Sequence, residues 1–308
     1  MIVCYFPQAA SCWLFVSILQ GQKTSDMIAF LGTGLLGSNF TRALLEKGNQ
    51  VQVWNRTAEK ARALEKFGAR AFELPSEAVA NVERVHVTLS DDTVVDEVLN
   101  QASPGFAPGL IVIDHTTTSV AGAVERTKKW AEKGITYVHV PVFMGPINAL
   151  QRNGYMLISG NQEVAARVTP WLSEMTGKVL NFGEETGRAA AIKLMGNSFL
   201  LSLTSGLSDM LALGKAMGVP SDDIFTLFSS WNPGALAPDR LRRILSAHYD
   251  NPSWELQMAR KDARLMINEA QHGNSHLIAI PAIAKEMDKW LAKGFANKDW
   301  TIIASENL

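Results

Sequence analysis

The sequence predicts an α/β domain with an open, doubly wound parallel sheet, followed by an all-α region. Residues 27–180 alternate short β-rich runs with helical patterns, which is typical of consecutive βαβ units. After Gly183 strand signals nearly vanish, and residues 188–217 form one long, mostly apolar helical pattern that ends at the stop signal of Gly218 and Pro220. Such a helix must be covered on most sides, by other helices of the chain or by a second subunit.

The predicted elements follow one another in a regular order. Strands are predicted at residues 28–31, 50–54, 85–89, 110–113 and 136–140, and helices at residues 35–46, 58–67 and 121–132. The rules that govern connections between parallel strands then favour an open doubly wound sheet.

The first 26 residues differ from the rest of the chain. Residues 2–19 are apolar and aromatic, but no basic residue precedes them and Pro7 interrupts them. A signal peptide or a marginal membrane span is an alternative interpretation. We expect a non-native or disordered leader ahead of a start at Met27, and therefore three parts: residues 1–26, an α/β domain at 27–187 and an all-α domain at 188–308.

The composition excludes several functional classes. The 29 basic and 30 acidic residues give a formal net charge of −1 without a basic run, so we expect neither a nucleic-acid partner nor a membrane partner. The two cysteines, Cys4 and Cys12, both lie in the predicted leader, so the remaining chain has no disulfide framework or thiolate nucleophile. A cytoplasmic location fits this usage. The histidines lack metal-ligand spacing, and no metal site is predicted.

A glycine fingerprint lies between the first predicted strand and the helix after it, in the segment Gly32-Thr33-Gly34-Leu35-Leu36-Gly37. In this context the first glycine permits a tight turn, the second lets the backbone approach a pyrophosphate, and the third lets helix and strand pack closely. The helix N-terminus then attracts the phosphates. The segment predicts a dinucleotide site in a Rossmann domain.

The second predicted strand ends in Asn55-Arg56-Thr57, where an NAD enzyme would carry an acidic residue for the ribose 2′-hydroxyl. Arg56 can pair with a 2′-phosphate, and Asn55 and Thr57 supply further donors. This pattern favours NADP(H), although a solvated surface arginine is the alternative interpretation. Leu89 and Ser90 complete the predicted cofactor contacts.

Lys193 is the candidate for proton transfer. It lies among apolar residues with Asn197 one turn later on the same helix face. Partial burial would lower the pKa of the lysine towards neutrality, which suits a group that protonates an alkoxide or removes a hydroxyl proton. A snorkelling or ion-paired structural lysine is the alternative.

A polar cluster, residues 114–119, directly follows the predicted strand at 110–113. That end of a strand faces the ligand crevice of a doubly wound sheet, so Thr116, Thr117 and Thr118 are candidates for binding an anionic head group. Thr118 or Ser119 could instead cap the helix that follows.

The order of these motifs resembles the β-hydroxyacid dehydrogenase family, which includes 3-hydroxyisobutyrate dehydrogenases and glyoxylate or succinic semialdehyde reductases and is related to imine reductases. The resemblance rests on GTGLLG at 32–37, WNRT at 54–57, DHTTTS at 114–119, GRAAAIKLMGN at 187–197, ARKDARL at 259–265 and GFANKDW at 294–300. It implies a Rossmann domain joined by a long helix to an all-α domain that dimerises, or forms tetramers.

The resemblance also implies roles for single residues. Lys193 would be the catalytic acid/base beside Asn197, Thr116 and Thr117 would bind substrate, and Lys261 would lie near the nicotinamide with Asp262 supporting it. Trp231 is a further candidate for substrate binding. Retention of the lysine argues against imine reduction, which is kept as an alternative.

One segment departs from the family pattern. Many members carry Ser-Gly-Gly for the substrate carboxylate, where this chain has Phe143-Met144-Gly145-Pro146. We expect NADPH-dependent reduction of a small anionic oxo compound, with Phe143, Met144 and Gly145 in the pocket. The alternatives are an oxo-phosphonate or oxo-sulfonate as substrate, and a non-catalytic NADP-binding protein.

Overall fold

The computed structural model describes residues 27–308, so the predicted leader at residues 1–26 lies outside the described part of the chain. Six parallel strands form the main sheet: β1 (Met27–Leu31), β2 (Gln50–Trp54), β3 (Arg70–Ala71), β4 (Arg84–Val87), β5 (Ile111–Asp114) and β6 (Thr136–His139). Their order is β3-β2-β1-β4-β5-β6. The first strand, β1, thus lies in the middle of the sheet. The next two strands are added on one side of it and the last three on the other, which confirms the predicted fold class.

A second, three-stranded sheet follows the main one along the chain. It contains β7 (Val142–Phe143), β8 (Tyr155–Ile158) and β9 (Lys178–Asn181). β7 is antiparallel to β8, and β8 is parallel to β9. These strands were not predicted from the sequence. Each has two or four residues, too few to give a clear alternating pattern.

Helices connect the strands and cover the main sheet. They are α1 (Leu35–Glu46), α2 (Ala58–Arg62), α3 (Pro75–Ala78), α4 (Asp92–Ala102), α5 (Val120–Ala131), α6 (Pro146–Gln151) and α7 (Gln162–Ser173). Successive side chains of β1 point to opposite faces, so Ile28 and Phe30 enter one buried cluster and Ala29 and Leu31 the other. A sheet buried on both faces explains why its strands are continuously apolar.

Two predicted elements differ from the observed ones by two residues or more at one end. The predicted helix at 58–67 is wrong as one continuous helix, because α2 ends at Arg62 and a separate 3-10 turn covers Glu65–Phe67 before Gly68 adopts a left-handed conformation with φ 99°. The predicted strand at 85–89 ends earlier, at Val87. The residues after it leave the sheet to bind neighbouring loops, as described below.

The long helix α8 (Arg188–Met217) has the bounds that the sequence predicts. The described residues up to Met195 form one compact unit, and Gly196–Leu308 form a second. The division therefore falls inside α8. The predicted domain boundary between residues 187 and 188 stays a prediction.

The second unit is helical throughout its remaining elements, α9 (Ser221–Ser230), α10 (Ala237–Ser246), α11 (Leu256–His272), α12 (Ile280–Ala292) and two 3-10 helices, Pro233–Leu236 and Trp300–Asn307. Buried Asp209 accepts hydrogen bonds from the backbone N–H groups of Ile278, Ala279 and Ile280, which anchors the start of α12 to α8. Within residues 27–308, no helix has both the length and the apolar character needed to cross a bilayer.

Two stacked histidines are buried at the main sheet, His86 in β4 and His115 directly after β5. His115 Nδ1 is 2.9 Å from Val140 O and therefore donates, which leaves His115 Nε2 to accept from His86 Nδ1 at 2.9 Å. His86 Nε2 in turn accepts from Arg84 Nε at 3.3 Å. This chain of bonds requires both rings to be neutral. Burial lowers the pKa of His115 to about 4 and the pKa of His86 well below its usual range.

We predict that acid destabilises this unit before its carboxylates titrate. The unfolded histidines bind protons below about pH 6.5 whereas the folded ones do not, so stability is lost as pH falls below the unfolded pKa. Each of the two histidines should lower the free energy of unfolding by about 2 kcal/mol between pH 7 and pH 5. Urea midpoints across this range measure the effect. His115→Gln should flatten the curve and His248→Gln, at an exposed position, should not. An equal slope in both variants would contradict the assignment.

Candidate active site

The loop between β1 and α1 has the glycines where the backbone needs them. Gly32 has φ 91°, and a Cβ atom there would lie 2.1 Å from Thr88 O. A Cβ atom at Gly37 would lie 1.9 Å from Gly32 O. At exposed Gly34 a Cβ atom would meet nothing within 4 Å. The protein itself therefore requires the first and third glycines, and the second faces open space.

The same loop offers unused donors at the start of α1. No side chain caps this helix, whose N-cap is Gly34, and its first turn contains no acidic residue. The hydroxyl of Thr33 is buried without a partner among the described residues. Free N–H groups at a helix N-terminus attract phosphate. The loop therefore fits the pyrophosphate of a dinucleotide, which would bind against residues 32–37.

The end of β2 supports this loop. Asn55 Oδ1 accepts from Thr33 N at 3.0 Å, and Asn55 Nδ2 donates to Thr57 O at 2.9 Å. The amide of Asn55 is thus engaged within the protein, although the sequence analysis assigned it to the cofactor. Arg56 is exposed, and no ion pair to it occurs within residues 27–308. Its guanidinium is free to meet a 2′-phosphate.

Polar groups after β4 join the glycine loop to the loop after β5. Thr88 Oγ1 donates to Gly32 O at 2.7 Å, and Leu89 N donates to Thr116 Oγ1 at 2.9 Å. Ser90 is exposed and donates to the Asp91 carboxylate. The structure thus brings Leu89 beside both the predicted cofactor loop and the predicted substrate loop.

The hydroxyl cluster after β5 is mostly engaged in structural bonds. Thr116 and Thr118 are each 3% exposed, and Thr118 Oγ1 lies 3.2 Å from His139 Nε2. Ser119 Oγ accepts from Gly122 N at 3.0 Å and caps α5, so Ser119 rather than Thr118 is the cap. Thr117 alone among the three threonines is exposed. The cluster presents fewer hydroxyls to a ligand than its sequence indicates.

A network of buried hydrogen bonds and ion pairs stabilises the loop after β5. Thr116 N donates to Asp114 Oδ1 at 2.8 Å, and Tyr137 OH donates to Asp114 Oδ2 at 2.6 Å. Arg126 Nε donates to Tyr137 OH at 3.1 Å, and Arg126 Nη2 bonds Asp92 Oδ1 at 2.6 Å. Arg126, Tyr137 and Asp92 were not predicted from the sequence, because residues so far apart along the chain carry no short-range signal of their contact.

Lys193 is 9% exposed and lies within the first unit. Burial lowers its pKa from the ordinary lysine value. Among residues 27–308 it has no ion pair and no hydrogen bond, and its Nζ atom lies 4.1 Å from the centroid of the Phe143 ring. Asn197 follows one turn later on α8 and is half-buried. The described residues therefore contain no partner for Lys193 as an ion-paired structural lysine, which was the alternative interpretation.

The segment that departs from the family pattern starts in β7. Phe143 pairs with Tyr155 across β7 and β8, and Gly145 N donates to Asn148 Oδ1 at 2.8 Å at the start of α6. Phe143, Met144 and Gly145 are half-buried. Of the three, the structure brings Phe143 against Lys193.

The remaining candidates belong to the second unit. Trp231 is half-exposed at the end of α9, with its ring 5.9 Å from that of Phe228. Lys261 on α11 forms an ion pair with Asp262 at 2.8 Å. No group of metal-ligating side chains occurs within residues 27–308. A cavity of about 420 Å³ beside β6 is lined by none of the predicted site residues.

Residues 27–183 match the model of the NAD binding domain of 6-phosphogluconate dehydrogenase. The chain belongs to this family. The match covers the whole main sheet and the glycine loop, and it shows that the first unit carries a dinucleotide-binding domain.

Relatives of this family member include named reductases. It is 25% identical over 284 residues to 3-sulfolactaldehyde reductase of Escherichia coli, covering 91% of this chain and 95% of the relative. It is 26% identical over 311 residues to the chloroplastic glyoxylate/succinic semialdehyde reductase 2 of Arabidopsis thaliana, covering 95% and 84%. These matches agree with the predicted β-hydroxyacid dehydrogenase resemblance.

Solved structures share the fold. An imine reductase from Myxococcus stipitatus in complex with NADP+ superimposes with a TM-score of 0.84 at 22% identity, covering 90% of this chain and 98% of the reductase. At this identity the likeness establishes the architecture of the family member and nothing about its substrate.

We predict that one glycine variant of this loop changes stability and that another changes nucleotide affinity. Gly37→Ala should lower the free energy of unfolding by about 1–3 kcal/mol, because its Cβ atom overlaps backbone. Gly34→Ala should leave stability unchanged, because φ −68° and ψ −162° suit alanine and the position is open. The methyl group of Gly34→Ala should nevertheless weaken nucleotide binding by about tenfold or more, because it occupies the space that the pyrophosphate needs. Urea unfolding and fluorescence titration with nucleotide measure the two effects. Unchanged affinity in a stable Gly34→Ala protein would contradict the predicted pyrophosphate position.

Proposed function

We propose that this protein is an NADPH-dependent reductase that interconverts a small anionic oxo compound and its hydroxy form, with Lys193 as proton donor and acceptor. The observation that carries the proposal is the state of Lys193. It is a lysine whose exposed fraction is only 9% and that has no carboxylate partner in the described residues, in the unit that contains the dinucleotide-binding domain. A buried charge without a partner is costly unless a ligand uses it.

The proposed chemistry needs a hydride and a proton. NADPH, held by the glycine loop and Arg56, supplies the hydride to the carbonyl carbon when it is bound. Lys193 Nζ donates a proton to the carbonyl oxygen as negative charge develops there, and the resulting amine regains a proton from solvent. Lowering the pKa of Lys193 by burial eases this donation and permits the reverse reaction, in which the amine takes the hydroxyl proton.

The head group is the least specified part of the substrate. Because the hydroxyls of Thr116 and Thr118 and the cap Ser119 are engaged, exposed Thr117 is the member of the cluster with the freest hydroxyl. This weakens the idea that three clustered hydroxyls receive the three oxygens of a sulfonate or phosphonate. The relative named 3-sulfolactaldehyde reductase keeps a sulfonate among the candidates beside a carboxylate.

We also propose that the protein is a homodimer through its helical unit, although a tetramer is compatible with the same surface. Large apolar side chains of α8 are exposed in the single chain, among them Phe199 at 57% and Leu201 at 73%. Exposed apolar faces of this kind are typical of subunit interfaces. Static light scattering measures the mass; a monomer would exclude the proposal.

For the cofactor, we predict that Arg56→Ala raises the Kd for NADPH roughly 10- to 100-fold, because a charge-assisted hydrogen bond to the 2′-phosphate is lost. The Kd for NADH should change less than about threefold. Arg62→Ala is the matched control, since Arg62 is an exposed arginine already paired with Glu73. Equal losses for both nucleotides in Arg56→Ala would argue against the 2′-phosphate contact.

For the reaction, we predict oxidation of NADPH in the presence of an oxo acid, an aldehyde acid or an oxo-sulfonate. The loss of nucleotide absorbance measures this oxidation. Lys193→Ala should lower kcat by roughly 100- to 10,000-fold, because the proton donor is lost. Lys193→Arg should fail equally, since a guanidinium does not release its proton. Lys215→Ala, an exposed lysine on the same helix, should retain full activity.

The panel also tests the alternatives. Turnover of a cyclic imine but of no oxo compound would favour imine reduction. Tight NADPH binding without turnover of any compound would favour a non-catalytic NADP-binding protein. Near-normal turnover by Lys193→Ala would exclude the proposed role of the lysine.

A further inference from the structure

The surroundings of Lys193 differ from those of other charged groups in this protein. Buried Arg126 lies against two carboxylates, Asp92 and Asp96. Lys193 has no such partner in the described residues, and its ammonium group lies 4.1 Å from the centre of an aromatic ring. A cation within about 6 Å of a ring centroid is attracted by the negative face of the ring.

The ring is held in place by the backbone on both sides of it. Phe143 pairs with Tyr155 in the β7–β8 ladder, which fixes its backbone direction. Gly154 lies so close that a Cβ atom there would be 2.9 Å from Phe143 O and 2.8 Å from Met144 Cγ. Gly154 has φ 93°, so the turn before β8 depends on this glycine. The backbone that carries the ring is therefore fixed by its neighbours in β8 and in the turn before it.

We propose that Phe143 is a positioning residue for Lys193, whose ring holds the ammonium group in place and stabilises its charge without accepting a hydrogen bond from it. This inference rests on the proposed function, because it explains how the proposed proton donor is prepared. From the sequence, Phe143 was expected in the substrate pocket, where it replaces a hydroxyl donor. The contact with Lys193 gives the residue a different task.

The chemistry of the ring distinguishes it from a carboxylate or a hydroxyl at the same place. A carboxylate would neutralise the ammonium charge and raise the pKa of the lysine, whereas burial lowers it here. A hydroxyl would occupy one of the three N–H donors. The ring attracts the charge through its face and, unlike a carboxylate or a hydroxyl, offers no lone pair that competes with a substrate oxygen for the proton.

The test measures the pKa of Lys193 directly in the protein without nucleotide. Lys193 is labelled with trace acetic anhydride across a pH series, and the extent at its peptide is read by mass spectrometry. Phe143→Leu keeps an apolar side chain but removes the ring, so it should shift the pKa of Lys193 downward by roughly half a unit to one and a half units. Phe143→Tyr keeps the ring and should leave the pKa within about 0.2 units of the parent value.

Phe67→Leu is the matched control. It removes a ring that lies over two other cations, Arg42 and Lys66, and it should not change the labelling of Lys193. Thermal unfolding of each variant establishes that the fold is retained. An unchanged or raised pKa of Lys193 in folded Phe143→Leu would overturn the proposal, because the ring would then act only by excluding water or not at all.

Turnover separates this inference from the proposed function. With an active substrate, the high-pH limb of the kcat/KM profile, which reports groups of the enzyme before that substrate binds, should move to lower pH in Phe143→Leu, in the direction found in labelling, and Phe143→Tyr should restore it. A labelling shift without any parallel shift in the kcat/KM profile would uphold the Phe143 contact and contradict Lys193 as the proton donor. A loss of kcat/KM that is equal at every pH, with unchanged labelling, would overturn the positioning role while leaving Lys193 in place.

Discussion

The close approach between the glycine loop and the end of β4 determines where the other groups of the first unit lie. Thr88 packs its carbonyl oxygen against Gly32, and its hydroxyl donates to Gly32 O. Gly37 in α1 lies so close to this loop that a methyl group on it would overlap Gly32 O. Three backbone segments meet here, and the Thr88 hydroxyl is bound between them. The start of α1 can therefore point its unpaired N–H groups into the crevice at the point where the strand order reverses.

The same contact orders the second loop of the crevice. Once Thr88 is bound to Gly32, the next residue, Leu89, directs its N–H group to the hydroxyl of Thr116. The loop after β5 is further held by Asp114, whose carboxylate bonds both Thr116 N and the Tyr137 hydroxyl. Burial and the adjacent carboxylate raise the pKa of Tyr137, so its hydroxyl stays protonated and keeps donating. These bonds leave Thr117 exposed and its neighbours buried.

The sequence predicted elements whose ends carry local signals. Gly34 precedes α1, and Gly218 with Pro220 follows α8, so both helices have the predicted bounds. The continuous helix at residues 58–67 was wrong because the chain must tighten and reverse at Gly68 to enter β3, and that demand comes from the sheet.

Side-chain contacts were predictable only where a motif implied them. The roles predicted for Arg56 and the glycines rest on their position after a strand, and the role of Arg56 stays a prediction. The contact between Lys193 and Phe143 was not predicted, because it joins a helix to a short strand far away in sequence, and two residues in β7 give no periodic signal. The hydrogen bond from Thr33 N to Asn55 was also not predicted. An amide that can donate and accept fits a ligand and a neighbouring loop equally well on sequence grounds.

A lysine that transfers protons has two requirements that oppose each other. It needs a fixed position, which in most proteins comes from hydrogen bonds or an ion pair, and it needs a pKa that allows the proton to leave. A carboxylate partner meets the first requirement and defeats the second, because it stabilises the charged form strongly. A ring face attracts the ammonium group more weakly than a carboxylate and accepts no proton. In the role proposed for Lys193, burial lowers its pKa while the Phe143 ring, 4.1 Å from its ammonium group, keeps that group in place, so one apolar side chain would meet both requirements.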